Sequence, residues 1–181
     1  MTLKDAITQA NTEYHDTHER VIFLGYNTVK GSRMYGTLEG IPKDSCIETP
    51  VCENLMVSMA LGMSLEGYRP VVCFERHDFM LLALDAMVNH MDKLPYMSGD
   101  QFKFPVLVRA IVGGSTPLNP GPQHTQNHGY ALARMLQHTS VVSGTSKERV
   151  TDAFKRIGLT PSGAVVLIEH RDLYQEETEV T

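Results

Sequence analysis

Short apolar runs separated by stretches of helical periodicity constrain this chain more than any other feature. Val21-Ile-Phe-Leu24, Val71-Val-Cys-Phe74, Pro105 to Ala110 and Ala164 to Glu169 are of strand length and lack the polar-apolar alternation of a half-exposed strand. Strands that read this way are covered on both faces, and parallel strands need a long crossover between them. The intervening segments supply it. Residues 3 to 15 read as an amphipathic helix, 53 to 66 as a helix capped by Gly67, 79 to 93 as a long helix stopped by Pro95, 128 to 137 and 147 to 157 as further helices. Shorter strands are expected at Cys46 to Glu48 and Ser140 to Val142, with Gly- and Pro-rich loops at 31 to 44 and 113 to 122. The expectation is a single α/β domain with a mostly parallel sheet of about six strands and helices on both faces.

Composition narrows the class of partner. A formal charge of −5 over 181 residues provides no basic footprint for nucleic acid or an anionic membrane. No apolar run approaches the ~18 to 20 residues that span a bilayer, and the chain reads as cytoplasmic. The three cysteines, Cys46, Cys52 and Cys73, lack metal-ligand spacing and are expected to be reduced and buried. The ten methionines fall largely on the helices at 53 to 66 and 79 to 93. Their apolar faces exceed what one sheet face can cover, so pairing with a second chain is expected. The acidic residues from 175 to 181 are expected to form a flexible tail.

Open parallel sheets bind ligands beyond the carboxyl ends of their strands. The loops at 25 to 44, 49 to 53, 75 to 79 and 111 to 128 should therefore share one face. On it, Glu53 opens a helix, where position alone suggests no more than a charge favoured by the helix dipole. His124 lies in a loop stiffened by prolines, where a histidine is either a surface residue or a proton carrier. Gly113-Gly114-Ser115 could approach a phosphate or simply turn the chain. His124 and His128 are spaced like a helical pair, but no third ligand accompanies them and no metal site is assigned.

The stretches Glu48-Thr-Pro-Val-Cys-Glu53, Gly67-Tyr-Arg-Pro-Val-Val72, Asp78-Phe79, Leu84-Asp-Ala-Met-Val-Asn-His90, Tyr96-Met-Ser-Gly99, Gln123-His-Thr-Gln126 and Glu169-His-Arg-Asp-Leu-Tyr174 follow one another in order. Together they resemble the N-terminal, pyrimidine-binding domain of the beta subunit of 2-oxoacid dehydrogenase decarboxylases, a transketolase-like family of thiamine-diphosphate enzymes. The resemblance covers nearly the whole chain.

The resemblance implies a subunit acting on a 2-oxo acid, by decarboxylation and acyl or aldehyde transfer, with thiamine diphosphate as cofactor. Glu53 would share a proton with the pyrimidine ring nitrogen, a requirement that a dry pocket enforces. Phe79 would lie on the pyrimidine face, Cys52 would line the cofactor site, and His124 would assist proton transfer. Arg76, His77 and Gln123 would lie near the substrate. Asn54, Met56, Glu75, Arg76 and His77 depart from the family pattern, which implies a substrate or acceptor other than that of ordinary pyruvate chemistry.

Related beta subunits continue past the position of Tyr174 into a second domain. The chain also carries no Gly-Asp-Gly segment with a downstream Asn. The expected partner is therefore a diphosphate-binding subunit of the alpha type that holds most of the Mg2+ coordination, in a homo- or hetero-oligomer. The competing readings are a transketolase-like subunit acting on sugars and a non-catalytic structural or regulatory homologue.

Overall fold

The computed structural model describes residues 1–116 and 118–177. Helix α1 (Leu3–Thr17) precedes β1 (Val21–Gly25) and β2 (Cys46–Glu48), α2 (Glu53–Leu65) leads to β3 (Arg69–Phe74), and a short helix α3 (Leu94–Met97) precedes β4 (Leu107–Val112). Helix α4 (Gly129–Met135), β5 (Ser140–Gly144), α5 (Lys147–Arg156) and β6 (Val165–His170) complete the order. The strands form one parallel sheet in the order β2-β1-β3-β4-β6-β5, as the apolar runs predict.

Alternate residues of the central strands feed two separate cores. Val71, Cys73, Leu107, Ile111 and Leu167 face α1, α5 and the 34–41 loop, whereas Val72, Phe74, Val108, Ala110 and Val166 face α2, the 77–91 segment and α4. Among the described residues, no helix is long and apolar enough to cross a membrane. The order reverses direction between β1 and β3 and again between β4 and β6. Crevices therefore open at the carboxyl ends of these four neighbouring strands.

Local signals account for most element ends. Thr2 and Asp5 form a reciprocal capping box at the start of α1. Helix α2 ends in a Schellman arrangement, Gly67 N–H donating to the Ser64 carbonyl and Tyr68 N–H to that of Met63, with Gly67 at a φ of 80°. Strand β4 begins two residues later than its apolar run, because Pro105 lacks an N–H and Phe104 N–H is taken by the Ser162 carbonyl.

The long helix expected over 79 to 93 is not a regular α-helix. A 3-10 segment runs from His77 to Ala83 and a π-helical one from Ala86 to Met91, and Pro95 sits in the first turn of α3 rather than stopping a helix. Burial explains the irregularity: Met80, Ala83 and Ala86 are inward at three-residue spacing, which a 3-10 turn satisfies, and Met87 and Met91 at four. The methionine faces are also not left over. Met56, Met80, Met87 and Met91 are buried in the chain's own core, with Met59 packed against it. At the C-terminus, Glu176 and Glu177 pair with the segment before α1, Leu3 N–H donating to the Glu176 carbonyl. The remainder of the expected acidic tail lies outside the described residues.

One polar cluster crosses the apolar interior. Arg109 of β4 and Glu169 of β6 form a two-pronged ion pair at 2.6 and 3.1 Å, both fully buried. Tyr174 donates its hydroxyl to the same carboxylate at 2.5 Å. Arg109 also donates to Asn11 of α1 and to Thr37, and Asn11 donates to the Thr37 carbonyl. Burial alone would lower the guanidinium pKa, but Glu169 overcomes it and holds Arg109 charged; burial, then Glu169, push the Tyr174 phenol well up. Glu169→Leu should cost ~3–5 kcal/mol, because it strands a buried guanidinium. The double variant Arg109→Met/Glu169→Leu should recover much of that loss. Urea unfolding of the single and double variants checks both.

Candidate functional site

The carboxyl ends of β1 to β4 carry the residues with chemical potential. Thr49 N–H donates to the Gly25 carbonyl, which carries β2 pairing one residue further before Pro50 turns the chain into α2. Glu53 is the first residue of that helix and only 5% exposed. Among the described residues its carboxylate accepts no hydrogen bond. The residue is mostly covered while its carboxylate keeps its acceptor capacity free, so it can take up a donor group. Its electrostatic neighbour is Tyr26, in the loop after β1. Burial, then Glu53, then Glu75 raise that phenol far above its ordinary range. Nothing in the sequence singled out Tyr26, since a loop tyrosine carries no motif.

Cys52 corrects the expectation for the cysteines. All three are free, Cys46 and Cys73 are buried, but Cys52 is exposed. It occupies the cap of α2, outside the packed face of the helix, and its thiol makes no capping bond.

The loop after β3 and the loop after β4 are interlocked. Asp78 accepts hydrogen bonds from the backbone and side chain of Gln126 at 3.1 and 3.0 Å. His77, fully buried, accepts from His128 N–H at 2.9 Å through Nε2, and the two imidazoles stack 5.6 Å apart. These bonds set Phe79 edge-to-face against His124 at 5.2 Å. The structure thus brings together Phe79, His124, His77 and Asp78, whereas the Gln123 side chain is exposed and makes no hydrogen bond among the described residues. His124 and His128 point to different partners rather than forming a helical pair. Among the described residues no cluster suits a metal ion.

Gly113 and Gly114 serve close packing. A Cβ on Gly113 would come within 2.0 Å of the His124 carbonyl oxygen, and one on Gly114 within 2.5 Å of the Asp172 carboxylate. Ser115 N–H donates to Asp172 at 2.8 Å. Arg76 turns away from this cluster, donating to the Tyr35 hydroxyl with its guanidinium by the tyrosine ring.

Buried polar atoms without a partner gather here. Thr49 Oγ1, His77 Nδ1, Asp78 Oδ2, His124 Nδ1 and His128 Nε2 are all inaccessible and unbonded among the described residues. Native folds leave few such atoms, and here all but one of the described ones, Tyr14 Oη on α1, lie at this end of the sheet.

The sequence profile described as "Transketolase, pyrimidine binding domain" matches residues 1–177. The beta subunit of the pyruvate dehydrogenase E1 component from Rickettsia bellii is 30% identical over all of this chain and 56% of its own length. The mitochondrial counterpart from Saccharomyces cerevisiae is 27% identical over all of this chain and 50% of its own. The chain thus spans about half the length of these curated relatives. A solved structure described as "Split gene transketolase, inactive beta4 tetramer" superposes with a TM-score of 0.70 at 17% identity, over all of this chain and 54% of that one.

The histidine stack carries a pH dependence. Burial, then the neighbouring His128, lower the His77 pKa to about 4 against a partial opposing effect of Asp78. Its neutral form belongs to the native state, so the stability it contributes is present above about pH 6.5, the unfolded value, and is lost as pH falls toward 4. In His77→Phe, the loss of stability between pH 7 and pH 4.5 should be shallower than in the wild type. Urea midpoints at the two pH values measure it.

Proposed function

The chain belongs to the transketolase pyrimidine-binding domain family, and from that premise we propose that it is the pyrimidine-binding part of a thiamine-diphosphate enzyme acting on a 2-oxo acid. The observation that carries the proposal is Glu53, a residue only 5% exposed whose carboxylate accepts no hydrogen bond among the described residues, set at the start of α2.

The residues present fit the cofactor's aminopyrimidine. Glu53 offers a carboxyl group that shares a proton with a ring nitrogen. Phe79, half-buried and steadied by His124, offers an aromatic face. Thiamine diphosphate, when bound, supplies a nucleophilic carbon and an electron sink for decarboxylation. His124, whose Nδ1 is inaccessible and without a partner, is assigned to proton transfer near the substrate. Cys52 borders the helix start and is assigned to the rim of the same site. His77, neutral through most of the pH range, supports the loop rather than carrying charge.

Diphosphate and magnesium are assigned to an alpha-type partner subunit, a reading drawn from the relatives' description as beta subunits. Glu75, Arg76 and His77 stand before Phe79 but are engaged with Asn27 and Ser32, Tyr35 and His128 respectively, so a distinct substrate or acceptor is kept as a proposal that rests on the sequence resemblance alone.

Glu53→Gln tests the proposal in the assembled pair. The amide is nearly isosteric and the helix start tolerates it, so circular dichroism should be unchanged. It cannot exchange a proton with the ring nitrogen, and turnover should fall ~10²- to 10⁴-fold with little change in substrate affinity. Exchange of the cofactor's C2 proton, followed by NMR, isolates the step. Wild-type exchange in the Gln variant would leave Glu53 as a helix-terminal charge and overturn the assignment.

A further inference from the structure

At the amino ends of β1 and β2, the end of the sheet away from Glu53, three side chains form a hydrogen-bonded row. Ser45 Oγ lies 3.0 Å from His15 Nε2, and His15 Nδ1 lies 3.0 Å from Asp16 Oδ1. A carboxylate only accepts, so Nδ1 carries the proton and Nε2 is left to accept from the Ser45 hydroxyl. This is the order in which a carboxylate fixes an imidazole tautomer and the imidazole takes the proton of a serine nucleophile. The hydroxyl has no other partner among the described residues.

Both elements that carry the row are fixed independently of it. His15 and Asp16 lie in the last turn of α1, whose Leu3, Ile7, Ala10 and Tyr14 are buried and whose Asn11 is tied to Thr37 and Arg109. Ser45 closes a single 3-10 turn, Lys43–Ser45, and Cys46 after it is the first residue of β2, paired with Phe23. Arg33 donates to the Ile41 carbonyl at 2.8 Å just before that turn. The His15 side chain is 22% exposed and Ser45 is half-buried, so the imidazole is held while the serine stays open to solvent. Asp16 is exposed, and its part is to orient the ring rather than to supply a buried charge.

The backbone around the hydroxyl sets the class of substrate. Ser45 N–H is taken by the Pro42 carbonyl and Cys46 N–H by that of Lys43, so neither amide beside the nucleophile is free to stabilise an oxyanion. A nucleophile without those donors attacks only carbonyls whose leaving group departs readily. We propose that Ser45, His15 and Asp16 form a hydrolytic relay for small activated esters, those of a thiol or a phenol. Ser45 Oγ attacks the acyl carbon as its proton passes to His15 Nε2; the bond to the leaving group breaks and the leaving group takes that proton. Water then attacks the acyl-serine and gives a proton to Nε2, which returns it to Ser45 Oγ as the acid departs. Ser45 and His15 are the catalytic residues and Asp16 is a positioning residue. The inference needs no thiamine cofactor, so its failure would leave the proposed function untouched.

A fluorophosphonate probe and p-nitrophenyl acetate, each added to the full chain, test it. The probe should bond to Ser45 Oγ with loss of fluoride, as mapped by peptide mass spectrometry, and Ser45→Ala should carry no adduct there. The exposed thiol of Cys52 also meets the ester, so the hydrolysis assigned to the relay is the part lost once Ser45 is phosphonylated. His15→Gln should slow labelling ~10²-fold, the scale of general-base assistance. In 15N NMR above neutral pH the His15 ring should be the Nδ1–H tautomer; Asp16→Asn should lose that preference and slow labelling, and Asp16→Glu should restore both. Asp16 is exposed, so its two variants decide the matter where His15→Gln does not fold. Ser58→Ala on the exposed face of α2 should be labelled like the wild type. No adduct at Ser45, wild-type labelling in folded His15→Gln or in both Asp16 variants, or labelling without any loss of ester hydrolysis would each overturn the proposal.

Discussion

A guanidinium and a carboxylate that water would otherwise solvate meet inside this protein, and the placement of the functional face depends on that meeting. Arg109 and Glu169 face each other across the β4–β6 pair, and the charges are satisfied from every side: Asn11 from α1, Thr37 from the loop after β1, Tyr174 from the segment after β6. A buried ion pair contributes little net stability compared with apolar side chains of the same volume, yet leaving either half alone is severely unfavourable. Its consequence is therefore positional. One arrangement of four separate chain segments satisfies it, and that arrangement sets the loop bearing Tyr35 and the turn bearing Arg171 on the same side of the sheet.

Carboxylates repeat this positional role at the loop ends with backbone N–H groups as partners. Glu48 accepts from Asn27, Thr28, Val29 and Lys30; Asp92 accepts from Gln137, His138 and Thr139; Asp78 accepts from Gln126; Asp172 accepts from Ser115. For Glu48 and Asp92 burial would raise the pKa, but the donors outweigh it and hold both carboxyls below the ordinary range. Loops anchored this way need little apolar core of their own. The site can thus be built from polar segments on a rigid sheet.

The sheet was legible in the sequence because burial on both faces leaves an unmistakable residue pattern. The 77–91 segment was not, because apolar spacings of three and four fit an α-helix until the burial of Met80, Ala83 and Ala86 is known. Cys52 misled for a related reason: it neighbours an apolar helix in sequence but occupies its exposed cap. Glu53, Phe79 and His124 were picked out through an ordered set of motifs, and of these the structure brings Phe79 and His124 into contact. Tyr26 and Tyr35 were not singled out, since loops that meet across the ends of different strands share no periodicity, and Arg171 was noted only as part of a longer motif. A signal for the ion pair did exist. Arg109 and Glu169 are the charged residues inside otherwise apolar strand runs, and such residues are buried only when paired.

The same face carries most of the unsatisfied buried atoms found among the described residues. Thr49, His77, Asp78, His124 and His128 each hold a buried polar atom without a partner among the described residues, and an unmade hydrogen bond of this kind costs ~1–3 kcal/mol. Three consecutive left-handed residues add strain at Tyr35. A chain selected only for stability would lose these features readily, since apolar or glycine substitutions relieve them one at a time. The ion pair beneath and the anchored loops above hold them in place instead. Local cost concentrated on one face of an otherwise well-satisfied fold is the pattern expected of a candidate site, where local rules give way to function.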